Sequence, residues 1–388
     1  MEDRFSSSFF LKKSNYIYAD YNATSLVSNS VRRSILEVLS KRILNPSSLH
    51  RKGQEIRKIL QDARDVVYNI INVSSDKEVV FTSGATEANN IVMRGMRGFQ
   101  YVVSAIEHPS ILNSVYNPHI IPVDQEGIVD LLELEKILSK LKGNKVIVSV
   151  MMANNETGVV QPIKKIAEIA HKFGVICHTD AAQSVGKIKV NMEDLGVDLL
   201  TLSAHKFGGI AGGGVLVFNK NLIIEPIIVG GEQEKGLRGG TENIVAIVGL
   251  SAALQNIPDL LLKMDKIKKL RDQLESKLLS FVGDSIKIFG QNSKRLPNTS
   301  FICMPGVKSD IQLMYFDLNN IAVSSGSACS SNKKIEPSYV LLAMGATKEQ
   351  AKCSIRISIG PQTKSQDIKR IADCWYSIYK KYSLGMCK

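Results

Sequence analysis

Residues 78–202 alternate two kinds of segment. Short runs rich in β-branched and aliphatic residues occur at 78–81, 101–103, 119–123, 146–150, 175–178 and 199–202. Stretches with helical apolar spacing lie between several of them, at 87–96, 131–141 and 163–173. A strand, helix, strand series of this kind folds into a largely parallel sheet covered by helices. Right-handed crossovers then bring the carboxyl ends of the strands to one edge. In open α/β sheets that edge is where ligands collect. Outside this block the first fifteen residues read as a loose extension. A short strand is expected at 16–18, and helices at 31–39 and 54–71 flank the break Asn45-Pro46-Ser47-Ser48. A longer helical pattern over 244–282, interrupted at Pro258, suits a connector to a second, smaller domain. That domain is expected to hold strands near 299–303 and 355–359, with helices at 311–318, 337–344 and 365–381.

Length and composition narrow the class. At about 150 residues per domain, 388 residues allow two or three domains. With 44% hydrophobic and 22% charged residues the chain is not a disordered polymer, a collagen or a coiled-coil rod. The longest apolar runs, such as 146–153, fall far below the roughly 18 residues of a membrane span. Lys plus Arg number 49 against 37 Asp plus Glu, a net charge of +12. This permits acidic partners such as RNA, phosphorylated ligands or acidic proteins without choosing among them. The densest basic patch is Lys263, Lys266, Lys268, Lys269 and Arg271. Its helical spacing leaves Ile267 and Leu270 for a core, so it reads as a solvated helix face rather than a nucleic-acid site. The six cysteines, at 177, 303, 329, 353, 374 and 387, form no CxxC pair and are too sparse for a disulfide scaffold. The N-terminus carries Glu2 and Asp3 and only a very short apolar centre, and does not read as a secretory signal. A soluble chain in a reducing cytoplasm is the expectation.

The strand ends carry unusual polar clusters. SGATEANN (83–90) follows the strand at 78–81. Its small residues let backbone N–H groups approach an anion at a helix N-terminus; an ordinary Ser/Thr cap is the plainer reading. HTDAAQSVGK (178–187) places Asp180 just beyond a nearly apolar strand, where a carboxylate needs a partner. A protonated heterocycle nitrogen is such a partner, and a cap or buried salt bridge serves equally well. SAHKFGG (203–209) sets Lys206 at a strand end with Ser203 and His205 as donors on alternate residues. Lysine, carboxylate and phosphate cup together suggest pyridoxal phosphate. His108, in EHPS (107–110), offers a ring to stack on it, or a loop cap.

Two features lie further along. SSGSACSS (324–331) puts Cys329 in a run with little apolar content, which suits a nucleophile that must travel, or an inert surface thiol. Cys177, Cys303 and Cys353 lie in apolar runs and read as small buried hydrophobes. In CSIRISIG (353–360), Arg356 shares a strand face with Ser354 and Ser358, while Ile355, Ile357 and Ile359 face the other way. A guanidinium fork suits a substrate carboxylate, as it suits an edge-strand ion pair.

As an ordered set these strings resemble the cysteine desulfurases of the iron–sulfur-cluster assembly type, in the class-V aminotransferase group. YADYNAT (18–24), NPSSLH (45–50), NNETG (154–158), RGGTEN (238–243) and EPSYVL (336–341) join those above, and the match covers residues ~16–360. The resemblance implies an α/β fold of PLP-dependent fold type I. A large domain (21–262) with a mostly parallel seven-stranded sheet would be joined to a smaller C-terminal α/β domain (263–388) carrying the cysteine loop. Residues 1–20 would pack with the small domain. By position, Lys206 would bind the cofactor covalently and move the substrate Cα proton. Asp180 would pair with the ring nitrogen, Gln183 with the ring hydroxyl, and His108 would stack. Ala85, Thr86, Ser203 and His205 would hold the phosphate, with Thr241 reaching in from the other subunit of a homodimer. Asn155 and Arg356 would bind the carboxylate of L-cysteine, and Cys329 would take its sulfur as a persulfide, releasing alanine. The long loop with SSGSAC implies direct hand-over to a scaffold or transferase rather than use of a dedicated activator. The partners the resemblance implies are an iron–sulfur scaffold protein and sulfur-relay or tRNA-thiolation proteins; direct nucleic-acid binding is not expected. Two departures stand out. Ile210-Ala211-Gly212 follow SAHKFGG where relatives commonly have Pro-Lys-Gly, and the tail after Trp375 is short. A transaminase or selenocysteine lyase on the same fold, and a basic RNA-binding protein that has lost catalysis, are the competing readings.

Overall fold

The computed structural model describes residues 16–41, 45–326 and 336–382. Cys329 and Cys387 lie outside them. Strand β1 (Ile17–Tyr18) leads into helices α1 (Asn29–Ser40) and α2 (Arg51–Ile70). The main sheet follows: β2 (Lys77–Thr82), α3 (Ala85–Gly95), β3 (Gln100–Ser104), α4 (Pro109–Leu112), β4 (His119–Ile121), α5 (Leu131–Lys140) and β5 (Val146–Ser149). It continues with α6 (Ile163–Lys172), β6 (Ile176–Asp180), α7 (Met192–Leu195), β7 (Leu199–Ser203) and β8 (Gly214–Asn219). Helices α8 (Ile244–Gln255) and α9 (Ile257–Val282) connect to β9 (Lys287–Ile288), β10 (Thr299–Cys303), α10 (Ser309–Leu318) and β11 (Ile321–Ala322). Then come α11 (Tyr339–Ala343), α12 (Lys348–Lys352), β12 (Ser354–Ser358) and α13 (Ser365–Tyr382).

Seven strands form the main sheet in the order β2-β8-β7-β6-β5-β3-β4. All neighbours are parallel except β8, which is antiparallel to both β2 and β7. Alternation along the strands fills a core on each face: Val79 and Phe81, Val146 and Val148, and Val215 and Val217 pack in one. Val80, Ile147, Leu216 and Phe218 pack in the other. Strand β8 is outside the sequence expectation. It returns from β7 through a short 3₁₀ turn, Ala204–Lys206, instead of a helical crossover. A strand-helix-strand rhythm therefore does not announce it.

The long connector breaks at Asn256, where α8 and α9 meet at 57°. Pro258 does not interrupt it but sits in the first turn of α9, where its missing N–H costs nothing. Among the described residues no single helix is long and apolar enough to cross a membrane. On α9, Ile267 and Leu270 are buried and Lys263, Lys266, Lys268 and Lys269 are exposed, as expected of a solvated face. Arg271 corrects that reading. It is buried, with Nε 2.7 Å from Asp272 and Nη1 on the carbonyls of Leu296 and Thr299.

Beyond α9, strands β12-β10-β9 form an antiparallel sheet, and β1 pairs in parallel with β11. Ile355, Ile357 and Ile359 pack into a core with Trp375 of α13 and Leu274 of α9. Arg356 points to the opposite face. Cys177, Cys303 and Cys353 are buried, as is Cys374 in α13.

Candidate active site

The carboxyl ends of β2, β3, β6 and β7 open on one cavity of about 420 Å³. Ala85, Thr86, His108, Asn155, Asp180, Gln183, Ser203, His205, Lys206 and Arg356 all line it. Thr241 is exposed and does not line this cavity in its own chain.

At one end, β2 passes through Ser83 and Gly84 into α3. The Ser/Thr cap is absent: Gly84 is the N-cap residue and no side chain caps the helix. The leading amides of α3 therefore remain for an anion. Ser83 N–H is held by Glu87 Oε2 at 2.8 Å, and Glu87 in turn by Arg238 at 3.0 Å. Gly214, opening β8, has to be glycine, since a Cβ there would lie 2.5 Å from the Gly84 carbonyl carbon.

Asp180 ends β6 nearly buried. Its Oδ2 accepts from Asn89 Nδ2 at 2.8 Å and its Oδ1 from Ala182 N at 2.9 Å, which offsets the desolvation of the carboxylate. The same Asn89 nitrogen donates to Ser110 Oγ at 2.9 Å. His108 caps α4, its Nδ1 accepting from Ser110 N at 3.1 Å, with Ser110 Oγ 2.8 Å away. Nδ1 therefore carries no proton and the ring hydrogen is on Nε2. Burial holds His108 below the usual histidine range, Asp180 opposing and Lys206 assisting. His205 is pushed down to about 4 by burial and by the positive charges of Lys206 and Lys187.

Lys206 follows β7 in the 3₁₀ turn and donates from Nζ to the carbonyls of Asn22 and Ala23, 2.9 Å each. Arg356 is buried on β12. Its Nη2 meets Asp20 at 2.6 Å, and its Nη1 the carbonyls of Asn155 at 3.0 Å and Gly326 at 3.2 Å. The ion pair on this strand exists, but it is buried and not at the surface. Two buried atoms of cavity-lining residues have no partner among the described residues: the donor Arg356 Nε and the acceptor Asn155 Oδ1. They suit a ligand that brings both an anionic oxygen and a hydrogen-bond donor. Uncapped helix amides, a carboxylate with fixed donors, a lysine and an orphaned guanidinium donor together fit a phosphorylated pyridine aldehyde carrying an amino-acid substrate.

Sequence reasoning passed over four residues. Asn89 orients Asp180. Asn22 joins the carbonyl seat of Lys206 to Asn155 O (3.2 Å) and Thr299 Oγ1 (2.9 Å). Lys187 bonds Gln183 and Asn22. Glu107, fully buried beside Ser104 and Met151 N, is pushed up to about 8 by burial. All four stand inside motifs named above, each of which follows or overlaps a strand end, and that placement marks them as site candidates without naming their partners.

Residues 17–371 match the family described as aminotransferase class-V. The cysteine desulfurase IscS of Dictyoglomus turgidum is 37% identical over 382 residues, 94% of this chain and 95% of that protein. A cysteine desulfurase of Sinorhizobium fredii is 37% identical over 382 residues, covering 94% and 97%. The X-ray structure of a NifS-like protein from Rickettsia africae superposes with a TM-score of 0.87 at 36% identity, covering 94% of this chain and 99% of that one. The chain belongs to the class-V aminotransferase family, enzymes of PLP-dependent fold type I. Within that family its place is among the cysteine desulfurases, which work with pyridoxal phosphate.

Proposed function

We propose that this enzyme removes sulfur from L-cysteine, giving L-alanine and a persulfide on Cys329. The observation that carries the reading is the convergence of Lys206, Asp180 and Arg356 on one cavity in a chain of this family. Bound pyridoxal phosphate supplies an electron sink for the bonds at the substrate Cα. Lys206 anchors it and carries the Cα proton. Asp180, whose oxygens accept from Asn89 Nδ2 and Ala182 N, pairs with the ring nitrogen, and Gln183 meets the ring hydroxyl. His108 stacks on the ring. Ala85, Thr86, Ser203 and His205 hold the phosphate, with Thr241 contributed across a homodimer. Asn155 and Arg356 bind the substrate carboxylate. Cys329 takes the sulfur: its S–S bond forms as the substrate C–S bond breaks. Cys329 lies outside the described residues, and its role rests on its place in SSGSACSS.

The same reading sets the division into a large domain (21–262) and a small one (263–388); most of the N-terminal segment 1–20 lies outside the described residues. It also places the enzyme in the cytoplasm, handing sulfur to an iron–sulfur scaffold and to relay or tRNA-thiolation proteins. The test is Cys329→Ala holoenzyme given L-cysteine. Sulfide release is expected to vanish while the visible cofactor band persists. Full turnover by that variant would point to a transaminase-like or lyase activity that needs no cysteine.

A further inference from the structure

Lys187 is buried among polar groups and makes no ion pair with any described carboxylate. It does not line the active-site cavity but a second one of about 280 Å³ on the far side of Lys206. Gly186 precedes it with φ +79°, and a Cβ there would meet Phe207 Cβ at 2.9 Å, so the chain turns here only because residue 186 is glycine. The turn swings the lysine back over Gln183, four residues earlier. Its Nζ meets Gln183 Oε1 in a short hydrogen bond and Asn22 Oδ1 at 3.1 Å. Gln183 Nε2 donates to the Asn22 carbonyl at 2.9 Å.

These contacts allow one orientation of the Gln183 amide. Turned over, its NH₂ would face the Lys187 amine and its carbonyl would face the Asn22 carbonyl, leaving both contacts unmade and both groups buried. With the orientation fixed, one Nε2 hydrogen goes to Asn22 and the second is left for the cavity. Asn22 is held just as firmly, its Oδ1 accepting also from Asn298 Nδ2 at 3.0 Å.

We propose that Lys187 is a positioning residue, which locks Gln183 so that an N–H and not a carbonyl is presented to the cofactor's ring oxygen. This rests on the reading that Gln183 meets the ring hydroxyl. Burial, together with the positive charges of Lys206 and Arg356, holds the Lys187 amine well below the usual lysine range. Its Nζ serves the site as a hydrogen-bond donor to Gln183 and Asn22.

The test is a double-variant cycle on apoenzyme titrated with pyridoxal phosphate, following affinity and the position of the visible band. Lys187→Met is expected to weaken binding about tenfold, the size of one lost hydrogen bond to a strongly polar group, and to displace the band. In a Gln183→Leu background the same change is expected to alter affinity less than about twofold, since the group it positions is gone. Equal weakening in both backgrounds, or none in either, overturns the proposal. Wild-type affinity and band in Gln183→Leu alone would instead remove the premise about Gln183. Lys187→Gln keeps an N–H donor and serves if the methionine variant does not fold. It is expected to bind within about threefold of wild type with an unmoved band, and a displaced band there also overturns the proposal.

Discussion

Asn89 shows how much of the site depends on a residue that touches no reacting atom. It gives both Nδ2 hydrogens away, one to Asp180 and one to Ser110, and so ties the carboxylate at the ring nitrogen to the cap of His108. Asn89→Leu leaves two buried acceptors unmet, at a cost of about 1–3 kcal/mol for such a group. Pyridoxal phosphate binding to apoenzyme should weaken roughly tenfold or more by equilibrium titration, and unchanged affinity would contradict the role. Lys206, Asp180 and His108 were legible as candidates from residue type and place after a strand, and Arg356 from its strand face, while their roles came from the ordered set of motifs. Asn89 and Asn22 were not legible, because their partners are distant in the chain, and Lys187 was not, because its bond to Gln183 depends on the turn at Gly186 and on Asn22 far along the chain. Asn89 and Asp180 are 91 positions apart, and Asn22 and Thr299 are 277 apart. An asparagine in a helix has no pattern of its own; only the fold reveals which carboxylate it faces.

At the scale of elements, periodicity located β2 through β7 and helices α3, α5 and α6 to within a few residues, but not the single-turn helices α4 and α7. It missed β8, whose hairpin-like return through Lys206 breaks the alternation. It also put the connector's break at Pro258, two residues past the bend at Asn256. Strand β8 matters to the site because its first residue, Gly214, lies against Gly84 at the head of α3. Gly214→Ala forces a methyl group to 2.5 Å from that backbone. The strands must separate, at a cost of about 1–3 kcal/mol. A lowered denaturant midpoint together with weaker cofactor binding is expected. Wild-type values for both would mean that the close approach is not needed.

For the molecule as a whole, buried ionisable groups set how stability depends on pH. Glu107 and Glu156 are pushed by burial from 4.5 up to about 8 and about 7. The folded protein keeps protons there that the unfolded chain has lost, so stability falls as pH rises through that window. His178, fully buried between Ser149 and Thr201, is pushed down to about 3, and His205 to about 4, both from 6.5. The unfolded chain protonates these first, so stability falls as pH drops below the ordinary histidine range. The two effects oppose each other between about 4.5 and 6.5, so the thermal midpoint of the apoenzyme should level off there and fall on either side. Glu107→Gln with Glu156→Gln should remove their share of the alkaline fall, and an unchanged alkaline slope would contradict the assignment. The net charge of +12 finds no site among these contacts; Lys263, Lys266, Lys268 and Lys269 form an exposed face on α9.

That Cys329 receives the sulfur of L-cysteine is best tested by mass. Holoenzyme is given one portion of L-cysteine without reductant, digested, and the peptide bearing Cys329 is weighed while alanine is counted. One added sulfur on that peptide, matched by one alanine, is the expected result. Alanine without sulfur on Cys329, or sulfur on another cysteine alone, would contradict it.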